Sequence, residues 1–192
     1  MARAEDVAKY IIDIFTIKAD HGFDDGMTNL RLQKLLYLAQ GYSLATYDKP
    51  LFPEAIEAWK YGPVVPTVYS KYNKFNRGVI HDDPPDQGAL TDEEAELILD
   101  VLSVFGKYST GYLVDLSHRP DAPWAQVYNE SDRKLIDNTI IEEYFKKQKK
   151  LVSADVQIAE RVKNEADPKR GKSGYILLPA EEYEDWEEYA GA

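Results

Sequence analysis

Leu32, Leu35, Leu36, Ala39, Tyr42 and Ala45 recur at helical spacing, and Leu30, Leu38 and Leu44 widen their stripe until little polar face remains. A helix of that kind belongs in the interior of a domain. Thr28 stands where an N-cap hydroxyl is wanted, and Met27 before it is placed to pack on Leu32 as a hydrophobic staple. Gly41 lowers helix stability by about 1 kcal/mol relative to Ala, so its presence predicts the close approach of another element there.

The remaining pattern is mostly helical. Val7, Tyr10, Ile11, Ile14 and Phe15 mark an amphipathic helix over residues 4 to 19, followed by a Gly- and Asp-rich loop over residues 21 to 26. Ile56 and Trp59 lie in a short strand or extended segment that Tyr61-Gly62-Pro63 ends in a turn. Pro66 suits the first turn of a helix burying Val68, Tyr69, Tyr72 and Phe75. Residues 76 to 90 are polar and read as a surface connection. Thr91 and Glu94 then form a capping box for a helix burying Leu97, Ile98, Val101, Leu102 and Phe105. A short helix follows Thr110, with Leu113 and Leu116 inward, and Trp124 anchors a further turn with Val127 and Tyr128. Leu135 to Phe145 reads as one more helix, ending in the basic run over residues 146 to 150, which complements the helix dipole.

Beyond residue 150 the pattern loosens. Val152, Val156 and Ala159 make a thin apolar stripe, residues 165 to 174 form a charged linker, Tyr175 to Leu178 suits a short strand, and Pro179 opens an acidic helix. The expected fold is therefore mainly α: a compact multi-helix domain over residues 1–150 with a small β element near 52–62, then a C-terminal extension over residues 151–192.

Composition narrows the function. A chain of 192 residues with 44% hydrophobic content has enough material for one good core. With no cysteine, it has neither disulfides, nor thiolate metal ligands, nor a cysteine nucleophile. There is no apolar run of spanning length and no signal-peptide pattern, so a cytoplasmic protein without membrane attachment is expected. The net charge of -11 disfavours nucleic acid as a partner of the main surface and favours a basic protein partner. Residues 151–192 hold 5 basic and 10 acidic side chains, so just over a fifth of the chain carries nearly half of the net charge.

Catalytic or cofactor chemistry finds no pattern. His21, His81 and His118 are scattered, and the preferred reading of each is structural, with His118 placed to satisfy backbone groups in a short turn closed by Trp124. Asp24-Asp25 and Asp82-Asp83 lack calcium-loop spacing, and Gly22 and Gly26 form no phosphate cradle. Trp59 beside Tyr61-Gly62-Pro63 admits two readings, an aromatic-lined peptide groove or a core residue next to a rigid turn. The second is preferred, since large aromatics on short strands are usually buried. The lysine run at 146 to 150 is read as a solvated face rather than as an operator contact.

Three ordered motifs carry a resemblance. Leu32-Gln33-Lys34-Leu35-Leu36-Tyr37-Leu38-Ala39-Gln40, then Ala58-Trp59 with Tyr61-Gly62-Pro63-Val64, then Leu116-Ser117-His118 with Pro123-Trp124, resemble the signature of the Panacea-domain family, the SocA-like and GepA-like bacterial antitoxins and phage-associated proteins. The resemblance covers about residues 5 to 130. It implies an antitoxin without catalytic activity or cofactor, whose partner is a cognate protein toxin. For the SocA-like branch it implies a second possibility, an adaptor that delivers the toxin to a protease. The motif residues Leu32, Lys34, Leu35, Tyr37, Gln40, Trp59, Gly62, Pro63, His118 and Trp124 are read as scaffold.

The partner surface is sought in the extension. Glu182, Trp186 and Tyr189 fall on one face at helical spacing with Tyr183 adjacent, and Tyr175 and Leu177 lie in the strand-like segment before them. Aromatic anchors in an acidic rim suit a basic partner, and the strand-then-helix order resembles the toxin-neutralising end of Phd-like antitoxins. An equal reading is that this segment folds back on its own domain or stays disordered. Oligomeric state stays open.

Overall fold

The computed structural model describes residues 1–20, 26–130 and 132–148. His21, Asp24-Asp25, Lys149, Lys150 and every position from 151 to 192, with the expectations for Tyr175, Leu177, Glu182, Tyr183, Trp186 and Tyr189, lie outside the described residues. The chain runs α1 (Ala4–Asp20), α2 (Asn29–Tyr47), β1 (Ile56–Trp59), β2 (Gly62–Val64), α3 (Pro66–Tyr72) with a 3-10 turn Asn73–Phe75, α4 (Asp92–Phe105), α5 (Thr110–Ser117), α6 (Pro123–Val127) and β3 (Lys134–Ile136). A further helix, α7, spans residues 138–148. Among the described residues the fold is mainly α with one small sheet, as the sequence pattern predicts.

α2 is the axis. Nearly every residue from Asn29 to Ala45 is buried, because α1, α3, α4, α5 and β2 all pack against it. Its ends carry the expected chemistry: the Thr28 hydroxyl accepts from Arg31 N at 3.4 Å, and Asp48 closes the helix in the left-handed region with φ 54. Gly41 is in helical contact with the Phe145 ring of α7, and a Cβ there would overlap that ring. The aromatic cluster of Tyr37, Tyr42, Tyr144 and Phe145 fills this crossing, with Phe145 meeting Tyr37 edge-on at 5.4 Å and Tyr42 at 5.2 Å. At α4 both halves of the Thr91–Glu94 capping box form.

The sheet is antiparallel, in the order β2-β1-β3. Glu57 stands opposite Val64 on one side and Leu135 on the other. Ile56, Ala58 and Ile136 belong to the main core, whereas Trp59, Val64 and Tyr69 make a second, small cluster. β3 corrects the expected helix over Leu135 to Phe145: Leu135 and Ile136 are strand residues, and the helix starts only at 138. Three residues of strand are too short to leave a periodic signal, and only pairing with β1, far away in sequence, defines them.

Candidate functional site

The motif residues converge where the hairpin meets α2, α5 and α6. β1 turns into β2 through Lys60 and Tyr61, and Gly62 takes φ +103, a conformation that side chains rarely adopt. A Cβ at Gly62 would lie 2.6 Å from Ser117 Oγ and 2.7 Å from Lys34 Nζ. Three elements thus meet at one glycine.

Lys34 is 1% exposed, and its ammonium donates to the Pro63 carbonyl at 2.9 Å. Burial holds its pKa well below the ordinary lysine value, since little around it replaces the lost water. His118, the C-cap of α5, spans from α5 to the hairpin: Nδ1 lies 2.8 Å from the Val114 carbonyl and Nε2 3.3 Å from the Lys60 carbonyl. Burial also lowers the His118 pKa below 6.5, and the nearby Lys34 adds to the effect. Ser117 Oγ donates to the Val114 carbonyl at 2.7 Å.

The aromatic side of the node is equally engaged. Trp124 Nε1 donates to the Trp59 carbonyl at 2.7 Å, its indole meets the His118 ring edge-on at 3.8 Å, and it stacks on Tyr128 at 4.4 Å. Trp59 is 7% exposed, donates to Glu57 Oε2 at 2.8 Å, packs on Tyr69 and lies under the Arg133 guanidinium at 4.4 Å. A buried indole with its N–H satisfied presents no open peptide groove.

The remaining polar side chains of α2 hold irregular backbone. Asn29, Gln33 and Gln40 share one helix face. Asn29 Nδ2 donates to the Tyr69 carbonyl at 3.1 Å, Gln33 Nε2 donates to Asn29 Oδ1 at 3.0 Å, and Gln33 Oε1 accepts from Val65 N at 2.9 Å. Gln40 grips the loop before β1, accepting from Leu51 N at 2.9 Å and Phe52 N at 3.2 Å and donating to the Phe52 carbonyl at 3.1 Å. Arg31 donates to the Gly106 carbonyl at 2.6 Å with its guanidinium 4.5 Å from the Phe15 ring. Leu32, Leu35 and Tyr37 lie in the main core.

The structure therefore gathers Lys34, Trp59, Gly62, Pro63, His118 and Trp124 around the hairpin, and places Gln40 along α2 at the neighbouring loop. Sequence reasoning missed Arg133 and Asn29, and it gave Gln33 and Ser117, which stand within the quoted motifs, no role in this arrangement. Polar residues at 29, 33 and 40 on one face of a helix with little surface left for solvent were the available signal: a buried polar stripe must meet partners. Of the other histidines, His81 is exposed. Asp82 accepts from Tyr72 OH at 2.6 Å and pairs with Lys71 at 2.8 Å, and Lys146 pairs with Asp48 and Glu142. Among the described residues no three His, Asp or Glu side chains gather as a metal site, and no single helix is long and apolar enough to cross a membrane.

The described domain is thus a helical body around a clamped β-hairpin, in which Lys34, Gln40, His118 and Trp124 are engaged by the protein's own backbone. The family model for the antitoxin SocA-like Panacea domain matches residues 32–125, the stretch that holds Lys34, Gln40, the hairpin, His118 and Trp124. Antitoxin SocA of Caulobacter vibrioides (strain NA1000 / CB15N) is 32% identical over 166 residues, covering 76% of this chain and 85% of that protein. The chain belongs to the SocA-like, Panacea-domain family of antitoxins. No solved structure matches it.

Proposed function

We propose that this protein neutralises a cognate protein toxin by direct, stoichiometric binding, without catalysis, and acts in the cytoplasm. The observation that carries the reading is the similarity to Antitoxin SocA across 85% of that protein. The internal commitment of Lys34, Gln40, Trp59, His118 and Trp124 supports a binding rather than a chemical role for the domain. The net charge of -11 favours a toxin with a basic functional surface, which the acidic, aromatic positions Glu182, Tyr183, Trp186 and Tyr189 would cover, helped by Tyr175 and Leu177. Charge accelerates encounter and the aromatic anchors supply affinity.

Co-expression with the product of the neighbouring gene tests this. Growth is restored by the full chain, and a chain ending after Lys150 fails to restore it. No rescue by the full chain contradicts the function; undiminished rescue by the shortened chain contradicts the placement of the contact.

Membership of the SocA-like family favours a second reading, an adaptor that delivers the toxin to a protease. Toxin abundance separates the two: neutralisation leaves the toxin present in a complex, whereas delivery depletes it only in cells that have the protease.

A further inference from the structure

Two bases hold the hairpin turn, each from a different helix. Lys34 of α2 donates to the Pro63 carbonyl at 2.9 Å, and His118 at the end of α5 faces the Lys60 carbonyl with Nε2 at 3.3 Å. The carbonyl at the other ring nitrogen is crowded. Val114 O lies 2.8 Å from His118 Nδ1 and also accepts from Ser117 Oγ at 2.7 Å and from His118 N at 3.1 Å. A neutral imidazole has one N–H, so it donates to Val114 or to Lys60 but not to both. The shorter contact takes the hydrogen, which leaves the Nε2 lone pair against the Lys60 carbonyl. A proton taken up at Nε2 supplies the missing donor, yet it places a cation in a partly buried ring beside Lys34.

Little around the two bases offsets positive charge. Burial lowers the His118 pKa from 6.5 and the Lys34 charge adds to it, and these outweigh the Val114 and Lys60 carbonyls and the Asp115 carboxylate, which pull the other way. Burial lowers Lys34 in the same direction. The other elements at the turn bring no acid: β2 is Gly62-Pro63-Val64, and α6, whose Trp124 meets the imidazole edge-on, is Pro123-Trp124-Ala125-Gln126-Val127. At the turn itself the Lys60 ammonium lies 5.5 Å from the Tyr61 ring. Glu57 accepts from Trp59 Nε1, and the charges of Arg119 and Asp121 act on Tyr144. The hairpin end hangs on few contacts. Its apolar anchor, Trp59 with Val64 and Tyr69, is a cluster apart from the main core, and Trp124 Nε1 ties it at the Trp59 carbonyl at 2.7 Å. A segment with so few buried contacts opens at a lower free energy than the whole domain.

We propose that Lys34 and His118 form an acid-sensitive latch on the hairpin: when both bases are protonated, residues 59–63 part from α2, α5 and α6 so that the two cations reach water, while the helical body stays folded. In the open form His118 takes its proton near the ordinary value of about 6.5, and in the closed form only below it. The closed form is therefore fully favoured above that value and loses ground as pH falls through it. Opening uncovers Trp59 and Trp124 together, so the latch puts an aromatic face under the control of pH.

Nuclear magnetic resonance on the full-length protein tests this, with the imidazole nitrogens of His118 and the Trp124 indole N–H followed from neutral to mildly acidic pH. At neutral pH the His118 hydrogen is on Nδ1. On acidification His118 titrates below 6.5, and at the same midpoint the Trp124 N–H signal moves from its hydrogen-bonded position to that of a free indole, while far-UV circular dichroism keeps its helical value. His118→Gln keeps a hydrogen-bonding amide but takes no proton, so its Trp124 signal stays in place over the same range. In Lys34→Met one charge is gone: His118 titrates closer to 6.5, and the Trp124 signal stays hydrogen-bonded through that titration. Should Lys34→Met fail to fold, the comparison of wild type with His118→Gln decides alone. Titration of His118 at or above 6.5, a Trp124 signal that ignores it, the same movement in His118→Gln, or loss of helix at the same midpoint overturns the proposal. The readout needs no toxin, so its failure is distinct from a failure of growth rescue.

Discussion

Lys34 shows how a single side chain can join two elements at a cost that depends on pH. Its ammonium reaches one backbone carbonyl across the hairpin and meets no carboxylate among the described residues, so folding favours its neutral form. In the window between its lowered pKa and the ordinary lysine value of about 10.4, the unfolded chain binds the extra proton, so stability rises with pH and is lost as pH falls. The urea midpoint of the wild-type protein thus climbs with pH toward that value, while Lys34→Met climbs less; identical slopes for the two proteins contradict the buried charge. Gly62 is the second such position. Gly62→Ala strains a left-handed backbone and drives a methyl group into Ser117 and Lys34, so it destabilises by about 2 kcal/mol or more in urea titration. At this scale the sequence was partly readable. Thr28 and the Thr91–Glu94 box announce themselves because capping is local. The burial of Lys34 was not legible, because a lysine in a helix ordinarily faces water and only the arrival of Pro63 explains its place.

The helices could be read further than the sheet. α2 was recognisable as interior from its apolar pattern, and Gly41 foretold a close neighbour, although nothing local said that the neighbour would be Phe145 of α7. That crossing yields a prediction that reverses the usual rule. Replacing a mid-helix glycine by alanine ordinarily stabilises by about 1 kcal/mol, but Gly41→Ala forces the Phe145 ring aside and lowers the melting temperature. A Gly41→Ala, Phe145→Leu double variant recovers part of the loss in thermal unfolding, since the smaller side chain leaves room for the methyl group. β3 escaped the pattern for the opposite reason. Leu135, Ile136 and Ile141 look helical in sequence, and Asp137, whose carboxylate accepts from Thr139 N at 2.7 Å, marks the true helix start beyond the strand. The candidate site divides in the same way. His118 as a satisfier of backbone groups was foreseeable from its turn, while Arg133 over Trp59 depends on the β1–β3 pairing and was not.

For the molecule as a whole, family and charge set the account. The Panacea signature marks residues that build and brace the hairpin, so it identifies the scaffold and not the toxin. The proposed function places discrimination between toxins in the acidic, aromatic extension. An acidic antitoxin meeting a basic toxin associates faster at low ionic strength. The association rate therefore falls as salt is raised, and neutralising Glu181, Glu182, Glu184, Asp185, Glu187 and Glu188 together removes most of that salt dependence in stopped-flow binding. The central claim is neutralisation by direct contact, and titration of purified toxin activity with the purified full-length protein, in the absence of any protease, tests it most directly. Activity that falls linearly and reaches its floor at a fixed molar ratio is the predicted result. Toxin activity that stays unchanged at excess protein contradicts it.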